Sequence, residues 1–268
     1  LAQCMEPRTD PVREVHALFA DAIATAQRVV YIETQYFTST VAFQALIARM
    51  RTAPPGLEIV VVLPQKPEAP KEEIALAPRQ STLMKRLDEE AAVRGHRFGV
   101  YYSATPSAHG EPIPTYIHSK VMIVDDNFLT VGSANMTNRS LALDAELNAS
   151  WEAGPQDDAL RTAIAAVRAD LLAEHCGCRA PALMESQDLV ARLDARTAVP
   201  GTRLFVHQLE NIIESSDVLE ALLPISLGYD PEGPLIDDQE WELLLAGETS
   251  VFGRTLERLK RTLRGGPE

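Results

Sequence analysis

Ile117 to Leu147 reads IHSKVMIVDDNFLTVGSANMTNRSLALDAEL. Within it His118, Lys120 and Asp125 form H-x-K-x4-D, and Gly132, Ser133 and Asn135 form G-S-x-N. Six residue types at fixed spacing, each used at a few per cent, arise by chance on the order of once in ten million starting positions. Ile117–Val124 has the composition of a strand, in which residues two apart share a face. His118 and Lys120 then point into one pocket, with Ile117, Ser119 and Val121 on the other side. Asp125, Asp126 and Asn127 supply turn chemistry, and the chain returns along Phe128–Val131 to deliver Ser133 and Asn135. A nucleophilic imidazole, a fixed positive charge and two hydrogen-bonding side chains thus converge. Attack on a phosphodiester needs this set: a nucleophile in line with phosphorus and donors for the charged oxygens.

Outward from this stretch, helices and strands alternate over the first 180 residues. Asp10 caps an expected helix from Pro11 to Gln27. Arg28–Ile32 reads as a strand covered on both faces, because it is an unbroken β-branched and aromatic run, and Glu58–Leu63 reads as a second strand stopped by Pro64. Ser39 or Thr40 opens the helix between them. Residues 65–77, rich in Pro, Glu and Lys, read as a surface loop before a helix from Gln80 to Val93 that ends at Gly95. A strand follows at Arg97–Tyr102, then a long loop, the hairpin described above, a strand at Glu146–Trp151 and an amphipathic helix over Gln156–His175. The pattern predicts an α/β fold, a mixed sheet with helices on both faces. After Pro181 the apolar spacing turns mainly helical. The expected organisation is an α/β domain over residues 1–180 and a smaller, acidic, mainly helical segment over 181–268.

The 268 residues carry 25 basic and 38 acidic side chains, a net charge of −13. Between Leu183 and Val251 there are 14 acidic and 3 basic residues. That balance argues against nucleic acid as a partner, since gripping a polyphosphate backbone takes a basic stripe. No apolar run approaches the roughly 20 residues that span a bilayer. The chain opens on Leu1, so the natural start is expected upstream. The expectation is a soluble or peripheral membrane protein, with the cytoplasm favoured and the location left open by the missing start. Cys4, Cys176 and Cys178 make neither a disulfide framework nor a metal site with suitably spaced partners.

The motif resembles the HKD signature of the phospholipase D superfamily, and VDDNFLTVGSANMTNRS is especially similar to the second motif of its phospholipases. Tyr31–Phe37 (YIETQYF) is similar to the segment that precedes that motif. The likeness covers roughly residues 10–180. It implies two such motifs face to face, one histidine forming a phosphohistidine and the other protonating the leaving alcohol. His118, Lys120, Asp125 and Glu146 are its implied catalytic set, with His118 as the general acid. Lys120, Ser133 and Asn135 would bind phosphate. Asp125 would order the turn and Lys120, and Glu146, or Asp144 in its place, would hold the second imidazole nitrogen. Glu33 and Gln35 would line the site. Neither a cofactor nor a metal is required, because a lysine from each motif supplies the charge.

Only one H-x-K-x4-D is present. His16, His96, His109, His175 and His207 lack a lysine two residues on. A second HKD half is therefore expected, from a missing N-terminal domain in preference to a homodimer partner. The implied activity is hydrolysis of a phospholipid at a membrane surface. The alternatives are a transferase of the cardiolipin or phosphatidylserine synthase type, a superfamily nuclease, or a catalytically incomplete phosphate-binding half.

Overall fold

The computed structural model describes residues 13–67, 70–107, 111–207 and 230–231. In chain order these form α1 (Glu14–Thr25), β1 (Val29–Glu33), α2 (Thr40–Thr52), β2 (Glu58–Val62), α3 (Pro70–Arg94), β3 (Arg97–Thr105) and β4 (Ile113–Pro114). Then come β5 (Val121–Val124), β6 (Phe128–Gly132), α4 (Asn138–Ala142), β7 (Asn148–Glu152), α5 (Asp158–Cys176), a 3-10 turn (Ala180–Leu183), α6 (Leu189–Thr197) and β8 (Leu204–Val206).

The strands make one mixed sheet in the order β4-β3-β2-β1-β5-β6-β7, with β8 also on β3. β1, β2 and β3 run parallel, while β5 is antiparallel to β1 and opens a meander through β6 and β7. Every residue of β1 and β2 is buried, as expected of central strands covered on both sides. Their alternation divides the interior into two cores. Val30, Ile32, Ile59 and Val61 pack with Phe19 and Ile23 of α1, Leu46 and Met50 of α2, and Met84 and Leu87 of α3. Val29, Tyr31, Val60 and Val62 face the other way, against Ile164 and Leu172 of α5, Leu183, and Leu189 and Leu193 of α6. The expected α/β architecture with helices on both faces is the observed one.

Local chemistry fixes the helix ends. Ser39 Oγ accepts the amide of Ala42 at the start of α2, and Asp157 accepts that of Leu160 at the start of α5. Gly177 ends α5 at a φ of 62°. The first helix is found at Glu14–Thr25; its expected cap, Asp10, lies outside the described residues.

Two expectations need correction. Residues 70–77, expected in a loop, form the opening turns of α3, and Ala75, Leu76 and Ala77 are buried. Pro70 is its first helical residue, a position where a missing N–H costs nothing. Secondly, Ile117–Lys120 is not strand; the ladder begins at Val121. Beyond residue 180, packing against the sheet continues among the described residues. The 3-10 turn and α6 complete the second core, and β8 pairs with Tyr101–Ser103 of β3. The helical expectation for most of the remaining tail lies outside the described residues.

Candidate active site

Four segments meet where β1 ends and β5 begins: residues 33–36, 115–120, 132–136 and 146–148. The register sets this meeting, because Glu33 at the end of β1 stands opposite Val121. The amide of Gly132 donates to Lys120 O, and that of Ser133 to Leu147 O. Gly132 is required by this closeness. A Cβ there would collide with Leu147 O and the Asn148 side chain. Parallel strands commonly open their binding crevices at such carboxyl ends.

His118 is exposed, and its imidazole makes no hydrogen bond among the described residues. The ring lies nearly parallel to that of Tyr116, centroids 6.2 Å apart. Lys120 is only 8% exposed. Its Nζ donates to His118 O at 2.7 Å and to Gln35 Oε1 at 3.3 Å. Burial pulls the Lys120 pKa below its ordinary value, while the nearby Glu146 carboxylate opposes this shift. Gln35 also donates to the hydroxyls of Tyr36 and Tyr116. It thereby links the lysine to the aromatic neighbour of His118.

Ser133 donates to Glu146 and accepts the amide of Leu147 at 3.0 Å. Glu146 sits before β7, not within it. Its carboxylate is thereby turned to Ser133 and makes no hydrogen bond to His118, the contact expected for it. Asp144 is paired with Arg139 at 2.9 Å. Asn135 Oδ1 is buried without a partner among the described residues. Such an orphaned amide invites a ligand or ordered water, and turning it by 180° would offer its NH2 instead.

Asp125 does not join these residues. It lies at the other end of β5, five residues from Lys120 and therefore roughly 16 Å away along an extended chain. Its carboxylate accepts the amides of Gln27, Arg28 and Val29 at 2.6, 2.7 and 2.9 Å. Asp125 and Asp126 both hold positive φ, 54° and 58°, in a region that Asp tolerates better than most residues. Asp126 binds the fully buried Arg168 through both carboxylate oxygens. The aspartates of the turn are thus fastenings of the fold.

Glu33 stands one step behind the site. It is 4% exposed and accepts from Tyr31 at 2.7 Å and from Ser119. His175 Nε2 is 3.2 Å away, off the line of a good hydrogen bond. Burial alone would raise the Glu33 pKa, but His175, Ser119 and Tyr31 together hold it below the usual carboxylate range. Sequence reasoning missed His175, Ser103 and Asp230. Ser103 Oγ lies 3.1 Å from His175 Nδ1. Asp230, 1% exposed, accepts from Thr38 Oγ1 at 2.5 Å and from the amides of Asn138 and Arg139 at 3.1 and 2.8 Å. It thereby caps the start of α4, directly after the G-S-x-N loop. No spacing signal announces partners 72 or 92 residues apart. Among the described residues no group of three or more His, Cys, Asp or Glu is placed to hold a metal.

Residues 19–166 match the family described as cardiolipin synthase, phospholipase D-like domain. The chain belongs to the phospholipase D-like family. Cardiolipin synthase A of Pseudomonas putida (strain GB-1) is 31% identical over 139 residues, 52% of this chain and 24% of that protein. Cardiolipin synthase of Staphylococcus aureus (strain N315) is 28% identical over 127 residues, 47% of this chain and 22% of that protein. The chain thus spans about a quarter of the length of the relatives it matches. Among solved structures, NucT from Helicobacter pylori aligns at a TM-score of 0.42 and 16% identity, over 60% of this chain and 86% of that one. Phosphatidylserine synthase of Haemophilus influenzae Rd KW20 aligns at 0.42 and 18%, over 70% and 44%. Membership of the phospholipase D-like family rests on the sequence match.

Proposed function

We propose that this phospholipase D-like domain supplies one half of a site that moves a phosphatidyl group from one alcohol to another through a phosphohistidine. The observation that carries the reading is an unbonded, exposed His118 beside the buried cation of Lys120 and the open amide of Asn135. In the transfer, one imidazole nitrogen bonds phosphorus as the P–O bond to the departing alcohol breaks. That alcohol takes its proton from the second histidine. The incoming alcohol then returns a proton to the second histidine, bonds phosphorus and breaks the P–N bond. Lys120 would neutralise a non-bridging oxygen throughout, with Asn135 and Ser133 beside it. His118 fills either imidazole role in this scheme, and the other histidine comes from a second HKD half.

Transfer is favoured over hydrolysis because the matched family and both relatives are described as cardiolipin synthases. Hydrolysis is the same intermediate captured by water. The test supplies phosphatidylglycerol vesicles to the chain alone, and to the chain with a second HKD half supplied. Products are resolved by mass spectrometry, with His118→Ala as control. Cardiolipin that depends on His118 supports transfer. Phosphatidic acid alone would replace transfer by hydrolysis, and silence in both arrangements would reject the lipid reading.

A further inference from the structure

Ser103, His175 and Glu33 follow one another in the order of a hydrolytic relay, yet all three are less than a tenth exposed. A serine so enclosed has no route to a substrate. The chain of contacts leads elsewhere, from Glu33 to the hydroxyl of Ser119. Ser119 is the residue between His118 and Lys120. The segment that carries both, residues 115–120, lies outside any strand, so no ladder fixes its backbone. Thr115 donates to Ser103 O at one end and Lys120 O accepts from Gly132 at the other. Between them Ile117 is seated in the second core and Ser119 is tied to Glu33.

We propose that Glu33 is a positioning residue, holding Ser119 so that His118 and Lys120 are aimed together at the phosphoryl group. Three groups converge on its two oxygens: the Tyr31 hydroxyl, the Ser119 hydroxyl and the imidazole of His175. Ser103 Oγ lies within hydrogen-bond distance of His175 Nδ1, and the tautomer with its hydrogen on Nε2 turns a donor toward the carboxylate 3.2 Å away. The cluster ties the end of β1, the middle of β3 and the last turn of α5 to the reacting segment. Only a carboxylate serves, because it is acceptor-only; an amide would turn a donor toward one of three donors. A bond from hydroxyl to carboxylate is stronger than a neutral one, which suits a loop that must not drift.

The proposal rests on the phosphotransfer reading for one of its readouts only. Glu33→Gln, Ser119→Ala and Ser119→Thr are compared with the parent in the arrangement that turns over. Amide hydrogen exchange of residues 115–120 is followed in the same proteins. Glu33→Gln and Ser119→Ala should each lower kcat by about 10- to 100-fold with KM within about twofold, since misplacement near 1 Å costs this much. The double variant should lose no more than the worse single one, and Ser119→Thr, which keeps the hydroxyl, should stay close to the parent. Exchange should rise in residues 115–120 and remain unchanged in β1 and β5. Unchanged exchange in that segment in both variants overturns the proposal, as does a loss of protection throughout the sheet. Should the parent show no turnover, the phosphotransfer reading fails while the exchange result still decides the positioning role.

Discussion

The two ends of β5 receive residues from the same motif and use them in opposite ways. At the Lys120 end the backbone is irregular, and among the described residues His118 is exposed and unbonded and polar groups are left open. At the Asp125 end a carboxylate is filled by three consecutive amides and sealed within the fold. One end keeps bonding capacity in reserve for a ligand. The other spends all of it on holding β1 against β5. A contiguous sequence signature therefore records two selections, one for chemistry and one for the frame that aligns it.

The largest expected effect separates the ends cleanly. His118→Ala should reduce turnover by about 10³-fold or more, as loss of a nucleophile or acid does, and leave the urea midpoint unchanged. Asp125→Ala should behave in reverse. Removing a carboxylate that satisfies buried amides should destabilise by about 3 kcal/mol, with kcat of the remaining folded protein near that of the parent. Urea denaturation alongside turnover checks both, and an Asp125 variant that is stable but inactive would erase the contrast. Gly132→Ala tests the seam beside the site. Its added methyl should cost about 1–3 kcal/mol and displace residues 146–148, seen as altered amide shifts there. Lys120→Met should abolish turnover while leaving the thermal midpoint equal or slightly higher. The direction follows from the lowered Lys120 pKa, since folding disfavours its charged form.

A pH titration sharpens the same comparison. Glu33 is held below the usual carboxylate range, so the unfolded chain binds its proton first as pH falls. Its stabilisation is fully present above the ordinary carboxylate value and is lost as pH drops through the folded one. The urea midpoint should therefore decline less on acidification in Glu33→Gln than in the parent. Equal declines would remove Glu33 from the acid response.

Much of this arrangement is legible from local pattern. The covered strands are unbroken apolar runs, the hairpin is marked by Asp-Asp-Asn, and His118, Lys120, Ser133 and Asn135 are flagged by spacing. What escapes notice is long-range or ambiguous. Pro70 opens a helix although its neighbours have loop composition, because a proline at the first helical turn and a proline in a loop look alike. The alternation expected to carry through Ile117–Lys120 stops short because hydrogen bonding to β1 begins only at Val121. Glu146 bonds Ser133, and its strand starts two residues later than expected. The cluster of Glu33, Ser119, His175 and Ser103 draws on four segments, and no period in the chain links them.

Asp230 has a consequence in time. It closes the start of α4 from 92 residues downstream of Asn138. At roughly 5–20 residues per second of synthesis, a growing chain carries the start of α4 without Asp230 for about 5–20 s. The residues of β1, β2 and β5 have all been synthesised by then. Synthesis thus delivers the residues of the frame before the carboxylate that fastens the start of α4.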